Sequence, residues 1–223
     1  VAKPVSEQRG NGVILRGSFN PRILQPAWLA AQGLIREAES ENAEIRIVHE
    51  QVVAFGLEWA NLEVDHDQLV VNSTPKGGTP EQVRDLALGA IEILDHTPIY
   101  NVGLQFFGHY GLKDQAARDE LGWALVPPTP FEGQLARVGM RSLQMAGRRS
   151  AEDVGGDGLM VTVEPSAHIA PNGVYLAVLD QYDVADSSEP NVGSSFAVDC
   201  IKSQWDPSLK RAESITSEIF SVI

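Results

Sequence analysis

The chain has 223 residues, 43% apolar and 21% charged, the balance of a globular protein with length for one generous core or two small domains. Seventeen Lys and Arg against thirty Asp and Glu leave a formal net charge of -13, a field that repels nucleic acid and anionic membranes and favours solubility or a basic partner. No stretch approaches the roughly 18 apolar residues of a membrane span, VAKPVSEQRGNG lacks the apolar centre of a signal peptide, and the single Cys200 makes no internal disulfide, so the expectation is a cytoplasmic protein without a membrane role.

Residues 1–12 are polar, contain Pro4, Gly10 and Gly12, and read as a flexible arm. Val13, Leu15 and Phe19 then alternate with Ile14, Arg16 and Ser18 in a first strand that Asn20-Pro21 ends. Pro26 to Ala38 carries helix formers, with Trp28, Leu29, Ala31, Gln32 and Ile35 giving one flank and Gly33 weakening the run. Glu44 to Ser73 is β-rich: Ile45, Ile47 and Val48 in a short strand, Val53, Phe55, Leu57 and Trp59 alternating in a longer one, and Leu69 to Val71 in a third. The Asp65-His66-Asp67 tip holds metal-ligand residue types, but neighbouring side chains diverge, so it reads as a solvated turn and no metal site is expected. Pro75-Lys76-Gly77-Gly78 lacks phosphate-loop spacing, and no cofactor is expected there.

Thr79, Pro80 and Gln82 form a T-x-x-Q capping box with proline at the first helical position. Val83, Ala87, Ala90, Ile91 and Leu94 supply a buried stripe, and Pro98 forces the helix to stop near His96. The period then changes to two. Tyr100, Val102, Leu104, Phe106 and Tyr110 share one strand face, and Asn101, Gly103, Gln105, Phe107 and His109 the other. That second face makes Asn101, Gln105, Phe107 and His109 the candidate ligand or partner residues; the competing and favoured reading is a half-exposed antiparallel strand.

Leu112 to Leu125 reads as a helix, and the cluster Val126-Pro127-Pro128-Thr129-Pro130 breaks it. The expected organisation is therefore 13–126 as one half and 127–223 as a second, packed on the first as one unit. Gln134 to Met145, Leu159 to Glu164 and Val174 to Tyr182 suggest an antiparallel meander, with a mobile polar loop at 148–158. Arg137 and Arg141, placed on the face of the first of these strands that also holds Leu135 and Leu143, join Arg148 and Arg149 as anion-binding candidates. A charged strand edge that resists sheet association is the favoured alternative. The last segment, 192–223, spaces Phe196, Ile201, Trp205, Leu209, Ala212, Ile219 and Phe220 as an amphipathic helix, either kinked at Pro207 or restarted there, with Cys200 a buried thiol.

The order β-α-β-β-β-α-β, then helix, then β-β-β-α implies an α+β protein of antiparallel sheets whose first half is ferredoxin-like. The passage ending IYNVGLQFFGHY, the strand VYLAVLDQYDV and the C-terminal LKRAESITSEIF resemble landmarks of a sporadically distributed, uncharacterised bacterial family. In that family an R/V-x-G-L-R-aromatic-x-N strand follows a helix; here Gln105 stands for the arginine and no asparagine follows the aromatic pair. The resemblance implies no activity and no catalytic residues. With no nucleophile-base pair, metal spacing or cofactor loop in view, the expected function is a non-enzymatic interaction or assembly module with a protein partner or self-association. Two alternatives stand beside it: a ferredoxin-like binder of RNA or another polyanion through the arginines, and a small-molecule enzyme built on His109, Gln105 and Asn101.

Overall fold

A computed structural model of the chain describes residues 6–75, 77–150, 158–185 and 193–223. The architecture is α+β. Strands β1 (Ser6–Gly17), β2 (Glu44–Val48), β3 (Val52–Gly56), β4 (Ala60–Asp65), β5 (Gln68–Ser73), β6 (Ile99–Gly111), β7 (Leu143–Gly147), β8 (Leu159–Pro165) and β9 (Gly173–Asp183) form an antiparallel sheet. Their order across it is β2-β3-β4-β5-β1-β6-β9-β8-β7. The helices are α1 (Pro26–Ala31), α2 (Glu37–Glu41), α3 (Pro80–Ile93), α4 (Gln115–Leu125) and the C-terminal α5 (Ser195–Phe220).

Two compact units divide the chain: Gly10–Gln105 with Asp180–Asp206, and Val1–Arg9 with Phe106–Leu179 and Pro207–Ile223. Both are assembled from separate stretches of sequence, so neither ends at the proline cluster after α4.

The larger unit owes its core to period-two burial in four strands. Val13 and Leu15, Leu69 and Val71, Leu62 and Val64, and Val53 and Phe55 are all buried on one side of the sheet, in registers that place Leu15 beside Leu69, Leu62 beside Val71 and Phe55 beside Leu62. Helix α3 supplies Val83, Leu86, Ala87, Ala90 and Ile91 to the same core. It begins as the sequence requires: the Thr79 hydroxyl accepts the Gln82 N–H, and the Gln82 amide oxygen accepts the Thr79 N–H at 2.8 Å. Trp205 of α5 is buried in this unit, with the Arg84 guanidinium 5.9 Å from its ring centre.

In the smaller unit, β7 and β8 form an antiparallel hairpin from Leu143↔Val163 to Gly147↔Leu159. Leu121 of α4, Val163, Val174, Leu176 and Ala212 are buried there, and the Tyr110 and Phe220 rings meet at a tilt of 56° with centroids 4.9 Å apart. The Asp114 carboxylate caps α4 by accepting the Ala117 N–H.

Several elements differ from the sequence expectation. β1 starts at Ser6 rather than Val13, so residues 6–12 belong to a strand and only 1–5 of the expected arm lie outside the described residues. The helix expected over 26–38 is two short ones, because Gly33 takes a left-handed φ of 73° and turns the chain between them. The run Val53 to Trp59 is not one strand. It reverses at Leu57–Trp59, where the Leu57 N–H reaches the Ala60 carbonyl at 2.7 Å, and a further strand, β4, follows. Leu57, Glu58 and Trp59 include no glycine, proline or asparagine, so composition hid the reversal. The Asp65 tip is a turn whose carboxylate accepts the N–H groups of Asp67 and Gln68. Helix α5 continues through Pro207.

Candidate functional site

The strand face singled out by alternation exists, but its four residues have different fates. In the larger unit, the Asn101 amide donates to the Asp183 carboxylate of β9 at 2.8 Å, and Gln105 is half-buried. In the smaller unit, the half-buried Phe107 lies 6.0 Å from the Tyr175 ring of β9. His109 is only 7% exposed. Asn101 and Phe107 thus each take part in a side-chain pair between β6 and β9.

His109 belongs to a small polar cluster inside the smaller unit. Its Nδ1 is 2.9 Å from Ser166 Oγ, and its ring meets His168 edge-on at 4.5 Å and Tyr175 at 5.0 Å. Ser166 Oγ also accepts the backbone N–H groups of His168 and Ile169, each at 3.1 Å. With two donors already on that oxygen, its own proton goes to His109 Nδ1, which makes Nδ1 the bare nitrogen of a neutral ring. Burial, and secondarily His168, push His109 below its ordinary pKa. Burial and Glu164 likewise raise Tyr175.

A serine beside a histidine invites a nucleophile-base reading, but the chemistry runs against it. Ser166 is itself buried, its oxygen is committed to the turn, and a buried imidazole hydrogen-bonded this way fixes a turn to a strand. A shallow, solvent-open depression with room for little more than a water lies among Arg118, Asp119, Met140 and Glu164. Its cation is engaged: Arg118 meets Asp119 at 2.8 Å and the Pro171 carbonyl at 2.5 Å. Among the described residues no group of three or more His, Cys, Asp or Glu side chains could hold a metal ion.

The arginines do not share a strand. Arg137, with a left-handed φ of 56°, and Arg141 both lie in the irregular chain between α4 and β7, because the strand expected from Gln134 begins only at Leu143. Arg148 is exposed just beyond β7; Arg149 is half-buried and donates to the Gly158 carbonyl at 3.1 Å. Residues 151–157 of the glycine-rich connection lie outside the described residues. Cys200 is partly exposed, not buried.

β2 forms over the run Ile45, Ile47 and Val48 that predicts a strand, but it presents a surface that the run does not foretell. All five of its side chains are exposed, including Ile45 (52%), Ile47 (47%) and Val48 (56%), and it is a terminal strand of the sheet order. A terminal strand offers unpaired backbone N–H and C=O groups along one side. The sequence signal was the run Ile45, Ile47, Val48 itself, which reads the same whether a strand is central or terminal; only the pairing order distinguishes the two.

β2 also carries an irregularity. Ile45 pairs with Phe55 and Ile47 with Ala54, so Arg46 is the extra residue of a bulge. Its guanidinium donates to Asn61 Oδ1 at 2.7 Å. Asn61 alternates with the buried Leu62, which puts Arg46 on the face opposite the core.

Among the described residues no helix is long and apolar enough to cross a membrane. Comparison of the chain with protein-family models and with curated proteins finds no match.

Proposed function

We propose that this protein is a non-enzymatic assembly module that takes a protein partner along the open side of β2. One observation carries the reading: a strand that ends the sheet order among the described residues exposes three large aliphatic side chains. Strand addition at such an edge draws affinity from main-chain hydrogen bonds and specificity from alternate side chains. The committed hydrogen bonds of Ser166 and His109 support the absence of a nucleophile-base role. The passage β5-α3-β6, which carries the chain from one side of β1 to the other, supports reading β1, β4, β5 and β6 as a ferredoxin-like unit, extended by β2 and β3. Polyanion binding is the lesser reading, since the four arginines occupy separate irregular segments of a chain with formal net charge -13.

The test is solution mass by light scattering over a concentration series, for the native chain and for Ile45→Lys/Ile47→Lys. Association that the double variant abolishes is the expected result. A strictly monomeric native chain that also brings down no protein from an extract of its source cells sinks the proposal.

A further inference from the structure

We infer that the partner of β2 is a second copy of the same strand, paired antiparallel about a two-fold axis at Ile45, with Glu44 of each copy opposite Arg46 of the other. The inference rests on the assembly reading above and specifies its occupant.

The bulge selects the register. Glu44 pairs with Gly56 and Ile45 with Phe55, so Glu44 points away from the core and Ile45 lies on the core side; Arg46 points away again. Residues 44–46 therefore alternate regularly. The next residue does not, because Ile47 pairs with Ala54 and shares the outward side with the bulged Arg46. Antiparallel pairing about a two-fold axis perpendicular to the sheet requires opposite residues to share a face. An axis at Arg46 would set the outward Glu44 against the core-side Val48 and bring Arg46 against Arg46 of the other copy. An axis at Ile47 would oppose outward Arg46 to core-side Val48 and align Glu44 with Glu50 of the other copy.

An axis at Ile45 matches faces over residues 44–46 and places Ile47 and Val48 opposite Ala43 and Asn42, beyond the end of β2. It sets Ile45 on Ile45 at the centre, where both side chains are half exposed in the single chain. It also makes two Glu44 to Arg46 pairs on the outward face, a charge pattern complementary to itself. In the single chain the guanidinium lies over Gly56 of β3 and donates to Asn61 of β4; self-pairing turns it from there toward the carboxylate across the axis. The opposite terminal strand, β7 (LQMAG), has no charged residue and so no comparable means of specifying a register. The contact is isologous and closes as a dimer.

Charge reversal tests it, with sedimentation velocity and native mass spectrometry on the full chain. Glu44→Arg sets the new arginine of each copy against Arg46 of the other, and Arg46→Glu sets the new glutamate of each copy against Glu44 of the other. Each single variant should dimerise about tenfold or more weakly than the native chain. In a mixture of the two variants, one member of each opposed pair is basic at both positions and the other acidic at both, so a heterodimer should form. As a second probe that leaves the charges intact, Ile45→Cys in a Cys200→Ser background should give a disulfide-linked dimer under mild oxidation, whereas Ile47→Cys should not. Native dimers that ignore both reversals, or a mass that grows beyond the dimer, overturn this inference and leave the assembly reading standing. A native chain monomeric throughout the concentration series overturns the self-pairing; if it also captures no partner, the assembly reading falls with it.

Discussion

Ser166 donates its hydroxyl proton to Nδ1 of His109 at 2.9 Å, and the same oxygen holds the backbone N–H groups of His168 and Ile169. One hydroxyl thus ties the turn after β8 to the middle of the smaller unit, and every group in the set is satisfied only while that hydroxyl is present. Ser166→Ala leaves a buried acceptor and two N–H groups without it. An unsatisfied buried polar group costs about 1–3 kcal/mol, so a loss of about 2 kcal/mol or more is expected in urea denaturation. A change below about 0.5 kcal/mol would mean that water replaces the hydroxyl without penalty.

The same pair makes stability depend on pH. His109 is pushed below its ordinary value of 6.5, first by burial and then by His168. The unfolded chain therefore takes up a proton that the folded chain refuses. The contribution is fully present above about pH 6.5 and is lost as pH falls through the lower folded value. Thermal melts from about pH 8 down to about pH 5 should show Tm falling more steeply for the native chain than for His109→Gln. Parallel curves would show that the imidazole titrates no differently when folded.

Glu39 is a stronger case in the opposite chemical class. Its carboxylate accepts the Arg36 guanidinium at 3.0 Å, the Arg36 N–H at 2.8 Å and the Trp59 indole N–H at 2.9 Å. The Arg36 hydrogen bond, followed by the backbone and indole donors, lowers its pKa from 4.5 to about 2 against the opposing effect of burial. Because the folded value is depressed, the stabilisation is present above pH 4.5 and disappears as pH falls through about 2. The Arg36 side chain is 80% exposed and screened, so Glu39→Gln should cost about 1–2 kcal/mol at pH 7, less than the whole shift implies. The difference from the native chain should shrink when denaturation is repeated at about pH 3. A gap independent of pH would assign the loss to packing.

Gly173 closes the turn that Ser166 opens: its N–H donates to the Ile169 carbonyl at 2.6 Å, and its carbonyl accepts the Ser166 N–H at 2.9 Å. A Cβ there would overlap the Ile169 carbonyl oxygen and Cβ, both on a rigid turn, and lie 2.8 Å from Ser166 Cβ. Gly173→Ala should therefore destabilise by about 2–3 kcal/mol and shift the His109 ring resonances in an NMR spectrum. Unchanged resonances would separate the turn from the histidine cluster.

Features written in consecutive residues were legible in the sequence alone. The Thr79, Pro80, Gln82 cap set the start of α3, and the change from period 3.6 to period two marked the passage into β6, because backbone hydrogen bonding and side-chain direction repeat locally. The α+β class followed from that order of elements. Local pattern could not decide which strands lie side by side, since pairing depends on residues far apart in the chain: Asn101 with Asp183, His109 with Ser166. It could not separate β3 from β4 either, because the reversal at Leu57–Trp59 lacks turn residues and is held by the pairing of the two strands themselves. Ile45, Ile47 and Val48 carry the same β-forming, apolar character in a central strand as in a terminal one. Only the tertiary order, which among the described residues sets β3 on one side of β2 and no strand on the other, turned that short run from core into the surface on which the assembly proposal rests.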